Sequence, residues 1–301
     1  MKSAIVTGAT GAIGTALVAE LVRRGIEVLV FCRRESPRNH RIPASPLVTR
    51  LDCDLDGLKD VQNTTGKSYD VFYHLAWEGT FGGARNDMLL QHRNIGRALD
   101  AVAAAKRFGC DAFIGVGSQA EYGRVEGALR PDTPAFPENG YGMGKLAAGL
   151  MTRQLAGQLA LRHIWVRVLS VYGPNDGSQS MVMSTLSALR EGRTPRFTPA
   201  EQLWDYLYSG DAARALCLMG ERGRDQAVYV LGSGQALPLR RYIEIMRDVA
   251  NPGAALDIGA LPYAERQVMH LCADISILSA DTGWQPEVDF ETGIRRTLAA
   301  L

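Results

Sequence analysis

Long apolar runs are missing from this sequence. None approaches the roughly 18 residues needed to cross a bilayer, so a membrane is not the expected partner. A surplus of charge is missing too. With 33 basic and 32 acidic residues the formal net charge is +1, which gives nucleic acid or an anionic surface little electrostatic hold. The five cysteines (Cys32, Cys53, Cys110, Cys217 and Cys272) are scattered and include no Cys-x-x-Cys pair. That excludes a disulfide framework or a zinc site, no other metal site is read, and reduced thiols fit a cytoplasmic protein. No leader-like segment, internal repeat or low-complexity tract is recognisable.

What is present is a composition that can bury a core: 301 residues, 46% of them hydrophobic. That suggests one large domain or two unequal lobes. The first element is a short strand-like run, Ser3–Thr7, followed by Gly8, Gly11 and Gly14 and then an apolar helical pattern ending at Gly25. Strand, glycine turn and helix in that order bring a tight backbone and a helix N-terminus to one place, which suits a pyrophosphate. The spacing is G-x-x-G-x-x-G. The second strand, Glu27–Phe31, ends in Cys32-Arg33-Arg34. No acid stands where an NAD-binding fold takes the ribose hydroxyls, and the arginines suit a 2′-phosphate. The pattern therefore favours NADP(H), with NAD(H) left open.

Further strands are expected at 47–51, 69–76, 111–117 and 163–169, with one long helix over 84–107 and another from Tyr141 to about Gln158. Strand and helix alternate throughout, so the fold class is α/β, a parallel, doubly wound sheet of the Rossmann type. After Tyr172-Gly173-Pro174 the elements shorten. The expected division is a dinucleotide-binding domain over 1–171 and a smaller α+β substrate lobe over 172–301, some of whose segments return to the first domain. Within the lobe, 203–208 reads as one aromatic strand and 228–231 as another. His74, on a core strand, reads as a packed histidine.

Tyr141-Gly-Met-Gly-Lys145 carries the chemistry. Residues four apart on a helix share a face. A lysine ammonium beside a phenol favours the phenolate, so the spacing predicts a lowered tyrosine pKa and a group able to exchange a proton. Gly142 and Gly144, poor helix formers, suggest that a ligand or a neighbouring helix comes close there. Ser118 lies just beyond the end of the 111–117 strand, where open parallel sheets bind ligands.

The glycine turn, Ser118 and Tyr141-x-x-x-Lys145 occur in order, with His74-Leu75-Ala76, Asn94, Tyr122-Gly123, Tyr172-Gly173-Pro174, Asp205-Tyr206 and Gly283-Trp284-x-Pro286 around them. Together they resemble the extended short-chain dehydrogenase/reductase family, in its nucleotide-sugar epimerase and dehydratase branch. The resemblance implies that Ser118, Tyr141 and Lys145 are catalytic. It places the cofactor against Gly8, Thr10, Gly11, Ala12, Ile13 and Gly14, with Arg33, Arg34, Asp54 and Leu55 toward the adenosine. Leu75, Ala76, Tyr141 and Lys145 complete its path. Substrate contacts fall to Trp77, Ser118, Gln119, Asn175, Trp204 and Arg266, with a nucleotide sugar as ligand and a homodimer as the assembly.

Departures from the family narrow the reaction. Dehydratases carry an Asp-Glu pair where Gln119 and Ala120 stand, and decarboxylating members place a glutamate at the Ala120 position. Members that couple 3,5-epimerisation to reduction use a cysteine there and a histidine at Asn175. What remains is an NADPH-dependent ketoreductase of a nucleotide-activated 4-keto-6-deoxyhexose. A 4-epimerase with tightly bound NAD is the alternative, and a cofactor-binding regulator without catalysis is a third reading. The family's Arg-Asp-Tyr appears as Trp204-Asp205-Tyr206, which removes one diphosphate contact.

Overall fold

Short runs of branched and aromatic residues, buried on both faces, build the centre of the molecule. The computed structural model describes all 301 residues. The first six strands are β1 (Ser3–Thr7), β2 (Glu27–Cys32), β3 (Val48–Asp52), β4 (Val71–His74), β5 (Ala112–Ser118) and β6 (Arg162–Val168). Their side chains alternate between the two faces. Ala4, Val6, Val28 and Val30 join one core, while Ile5, Leu29, Phe31 and Phe72 join the other. This two-sided burial is what a parallel sheet demands.

Helix α1 (Ala12–Arg23) covers the first face. Helices α2 (Met88–Arg107) and α3 (Gly140–Gln158) cover the second. Later in the chain come β7 (Ser170–Tyr172), α4 (Met181–Arg190), β8 (Arg196–Phe197), β9 (Leu203–Trp204), β10 (Tyr206–Tyr208), α5 (Ser209–Arg222) and β11 (Ala227–Leu231). Then follow β12 (Leu237–Pro238), α6 (Leu239–Ala250), β13 (Asp257–Ile258), α7 (Ser276–Thr282) and α8 (Phe290–Ala299). The main sheet has seven strands in the order β11-β6-β5-β4-β1-β2-β3, every pair parallel. The order reverses between β1 and β4, and an open α/β sheet binds ligands in the crevice at that reversal. No helix is long and apolar enough to cross a membrane.

From the region expected to send some segments back to the first domain, β11 is the seventh strand of the main sheet, and α5 packs beside α1. Two local expectations change. The run 203–208 is two strands, because Asp205 is fully buried between them. Its carboxylate accepts hydrogen bonds from the Ser233 amide and hydroxyl (both 2.7 Å) and from the Gly234 and Ala273 amides (3.1 and 3.0 Å). Residues on either side then pair differently, β9 antiparallel to β12 and β10 parallel to β7. The long helix starts at Met88, where Asp87 caps it by accepting from the Leu90 amide at 3.0 Å. Residues 82–86 form a separate 3-10 turn, and Leu89 is 73% exposed instead of joining the apolar stripe.

The remaining segments gather round an aromatic cluster of Tyr172, Tyr206, Tyr242 and Phe290, with Tyr242 and Phe290 ring centroids 4.6 Å apart. Helices α4, α6 and α8 surround it.

Candidate active site

The three glycines of the first turn do different work. Gly8 has φ +74°, and a Cβ there would lie 2.7 Å from the Ala76 amide nitrogen. A Cβ on Gly14 would lie 2.1 Å from the Gly8 carbonyl oxygen. Both are glycine because protein backbone needs the space, and Gly8 thereby docks the end of β1 on Leu75–Ala76. Gly11 is different: a Cβ there would meet only the Gly8 oxygen, at an ordinary 3.8 Å. Gly11 is also the N-cap of α1 and offers no side-chain cap to the amides of Ala12 and Ile13 beyond it. An open face before uncapped amides and the positive end of a helix fits a pyrophosphate. Thr10, just before Gly11, borders the same turn.

Gly11→Ala separates fold from binding. Thermal stability is expected to stay within about 1 kcal/mol of wild type, since the methyl fits, while NADPH binding weakens by tenfold or more. Fluorescence titration and a melting curve on the same sample read both. Gly14→Ala, by contrast, is expected to destabilise the fold itself.

At the end of β2, Arg34 is tied to Asp52 through its backbone amide (2.8 Å) and its side chain (3.3 Å). Arg33 is exposed and makes no ion pair, so its guanidinium remains available to an anion. Asp54 accepts the Gly57 amide at 2.7 Å and shapes the turn in which Leu55 sits. His74 is buried and bonded to the Thr7 hydroxyl at 3.0 Å, and burial drives its pKa down to about 3. It is a neutral packing residue, as its place on a core strand suggested.

Ser118 ends β5 and caps the next turn, its hydroxyl accepting from the Ala120 amide at 3.2 Å. Tyr141 opens α3 beside it, after Asn139 caps that helix by accepting from the Gly142 amide at 2.9 Å. The close approach predicted at Gly142 and Gly144 is made by protein. A Cβ on Gly142 would sit 2.2 Å from the Ala120 carbonyl oxygen, and one on Gly144 would touch Gln91 and Trp77. These glycines press the start of α3 against the Ser118 turn and against α2.

The lowered tyrosine pKa expected from Lys145 is overturned. Desolvation raises the Tyr141 phenol above its ordinary value and outweighs the opposing effects of the Ser118 hydroxyl and the Arg85 charge. Lys145 is turned aside. Its Nζ donates to the Val116 carbonyl at 2.6 Å and lies 4.0 Å from the Trp77 ring centroid, against 5.9 Å from that of Tyr141. Helical spacing put both residues on one face, but the long lysine stem follows the carbonyl and the indole. Burial brings the Lys145 pKa down to about 7, partly opposed by the Glu121 carboxylate.

The turn after Ser118 holds one carboxylate, and protein partners occupy it. Glu121 is fully buried. Its carboxylate accepts the Ser118 amide (2.8 Å) and the Trp165 indole N–H (3.1 Å), and it pairs with Arg167 at 2.8 Å. Gln119 and Ala120 bring no acid or base to the reaction side.

The proposed substrate residues spread over a wider region. Trp77 meets Tyr141 edge to face, with centroids 6.3 Å apart, and donates to Gln91 at 2.8 Å. Asn175, in a left-handed backbone conformation, lies against the first turn of α1, with its amide 3.4 Å from Thr15 Oγ1 and its carbonyl accepting from Arg41. Trp204 donates to the Ser170 hydroxyl at 2.8 Å and packs against the cluster that holds Tyr172 and Tyr242. Arg266 is exposed and lies near Glu138, whose carboxyl is held low mainly by its hydrogen bonds from Arg124 and only slightly by the Arg266 charge. The structure thus brings together Trp77, Ser118, Tyr141 and Lys145. It does not bring Asn175, Trp204 or Arg266 into contact with them.

Two residues near Tyr141 went unnoticed in the sequence. Arg85 places its guanidinium carbon 4.6 Å from the Tyr141 ring centroid. Gln91, buried on α2, donates to the Gly79 and Ala84 carbonyls (3.1 and 2.9 Å) and so shapes the loop carrying Arg85. A polar Gln91 and Asn94 inside an otherwise apolar helix face were the available signal.

The sequence profile described as the NAD dependent epimerase/dehydratase family matches residues 4–232. The chain belongs to that family. CDP-abequose synthase of Salmonella typhimurium is 21% identical, over 99% of this chain and 97% of its own. UDP-glucose 4-epimerase of Streptomyces lividans is 25% identical, over 94% and 91%. Among solved structures, UDP-N-acetylglucosamine 4-epimerase of Methanobrevibacter ruminantium superposes with a TM-score of 0.88 at 24% identity, covering 99% of this chain and 97% of that one. UDP-glucose 4-epimerase of Thermus thermophilus, in complex with NAD, gives 0.86 at 22%, covering 99% and 98%. These likenesses fit the doubly wound sheet and its C-terminal additions. The relatives' names divide between synthase and epimerase, so likeness alone does not choose the reaction.

Proposed function

We propose that this protein is an NADPH-preferring reductase of a nucleotide-activated 4-keto-6-deoxyhexose. The observation that carries the reading is the occupation of Glu121 by protein partners. With that carboxylate committed to Arg167 and the Ser118 amide, and with Gln119 and Ala120 beside it, Tyr141 is the one proton-transferring group next to Ser118. Elimination or decarboxylation needs further acids and bases, whereas reduction of a ketone needs one proton donor. Arg33, free of any carboxylate at the end of β2, supports NADPH over NADH.

The chain's part in the reaction follows. The glycine turn and the start of α1 would hold the pyrophosphate, Arg33 would suit the 2′-phosphate, and Lys145 would take the nicotinamide ribose. When bound, the cofactor supplies the hydride that reaches the ketone carbon. Ser118 hydrogen-bonds the ketone oxygen. The Tyr141 O–H bond breaks as the new O–H bond forms on the substrate, and solvent later restores the phenol. Because desolvation holds the phenol above its ordinary pKa, Tyr141 stands in its donor form at neutral pH.

The test combines purified protein, NADPH or NADH, and a panel of nucleotide-linked 4-keto-6-deoxyhexoses differing in base. Stoichiometric loss of NADPH absorbance with formation of the sugar alcohol is the expected result. Conversion of a saturated nucleotide sugar into its C4 epimer, with no net change in cofactor, would replace this reading with the 4-epimerase that several relatives' names suggest.

A homodimer belongs to the same proposal. Leu89 on α2 and Met143, Leu150 and Met151 on α3 are all between 45% and 73% exposed, an apolar face on two adjacent helices. A second copy of the face would cover it. Leu89→Glu with Met151→Glu is expected to halve the sedimenting mass; a wild-type monomer at micromolar concentration would contradict the dimer.

A further inference from the structure

The Tyr141 phenol is faced by five groups. They are the Trp77 edge, the Ser118 hydroxyl, the Glu121 carboxylate behind Ser118 with its partner Arg167, Lys145 on the same helix, and Arg85 from the loop before α2. Of the cations, Arg85 is the one laid on the ring, 4.6 Å from its centroid. Its only side-chain hydrogen bond goes from Nη1 to the Thr80 carbonyl at 3.1 Å, and no carboxylate neutralises it. Lys145 is further away and occupied by Val116 and Trp77. The position of Arg85 is built. Gln91 grips the loop on both sides, and a Cβ on the neighbouring Gly140 would lie 2.9 Å from the Arg85 carbonyl oxygen, so α3 and the loop abut.

We propose that Arg85, and not Lys145 alone, is the cation that stabilises Tyr141 when its phenol gives up a proton. Arg85 acts through the tyrosine, so it is a positioning and charge-setting residue. The inference rests on the reading of Tyr141 as the proton donor, yet its first test does not depend on any reaction.

An opposite charge within about 4–6 Å moves a pKa by on the order of one unit or more. The probe is 3-fluorotyrosine at position 141, whose lower intrinsic pKa brings its titration into reach, followed by fluorine NMR in cofactor-free protein. Arg85→Gln keeps a donor for the Thr80 carbonyl and removes the charge; Arg85→Lys keeps the charge. The midpoint is expected to rise by about one unit in Arg85→Gln, to stay close to wild type in Arg85→Lys, and to move less in Lys145→Met. In the active enzyme, Arg85→Gln is expected to lower kcat about tenfold with the KM for NADPH unchanged, and to shift the alkaline limb of the pH profile upward. An unmoved midpoint in Arg85→Gln, or a larger rise in Lys145→Met, would overturn the inference. An expected NMR result alongside no reduction of any keto sugar would instead leave the Arg85–Tyr141 coupling standing and sink the reductase reading.

Discussion

Tyr141→Phe is expected to lower kcat for keto-sugar reduction by on the order of a thousandfold, the span of a lost general acid, while NADPH still binds. Only the hydroxyl is removed. The phenyl ring keeps its edge contact with Trp77 and its place under Arg85. In the proposed site most of the cofactor's grip would come from the glycine turn, Arg33 and Lys145, none of which the substitution alters. Stability is expected to hold within about 1 kcal/mol, because one hydroxyl is lost from a half-buried side chain and the phenyl ring left behind has nearly the same shape. Steady-state loss of NADPH absorbance, fluorescence titration of the cofactor and a melting curve together separate chemistry from binding and folding.

The pH dependence has a definite sign. Reduction uses the protonated phenol, so the rate stays level through neutral pH and falls as pH rises through the Tyr141 pKa. Desolvation sets that pKa above the usual value in the ligand-free protein. If the phenylalanine variant kept activity within tenfold of wild type, the proton would come from elsewhere. If both proteins bound NADPH and neither reduced a ketone, a non-catalytic, cofactor-binding role would gain.

The parts legible in the sequence are those set by local geometry. A glycine turn between a strand and a helix is decided within a dozen residues, and the side chains of Tyr141 and Lys145 share a face because of helical period. The alternating strands and helices announced the parallel sheet for the same reason. What was not legible depends on partners far along the chain. Lys145 leaves Tyr141 because the Val116 carbonyl and Trp77 stand within reach of its long stem, and neither is readable from a four-residue spacing. Asp205 breaks one expected strand into two because amides from Ser233, Gly234 and Ala273 converge on it. The segment 228–231 resembles its neighbours in the small lobe, and only pairing with β6 shows that it completes the main sheet. Gly11 and Gly14 look alike in a motif, yet one borders open space and the other lets backbone meet backbone.

Arg167→Met is expected to cost about 3–5 kcal/mol of stability, or a melting temperature lower by about 5–10 °C in a chain of this size. Glu121 is 0% exposed and Arg167 7%. Without the guanidinium the Glu121 carboxylate keeps the Ser118 amide and the Trp165 indole as hydrogen-bond donors, and loses its ion-paired counter-charge. An uncompensated buried charge, not the lost contact, makes the change severe. Glu121→Gln combined with Arg167→Met tests that cause, because replacing both partners removes the charge as well as the pair. The double variant is expected to recover most of the lost stability. Catalysis is predicted to follow a different course. Glu121 holds the Ser118 amide and thereby the turn on which the serine hydroxyl rides, so a glutamine that keeps an acceptor for that amide preserves the site. Turnover in the double variant should then exceed that of Arg167→Met. Equal turnover in the two variants, with stability restored only in the double, would show that the Ser118 turn holds its shape without the buried pair.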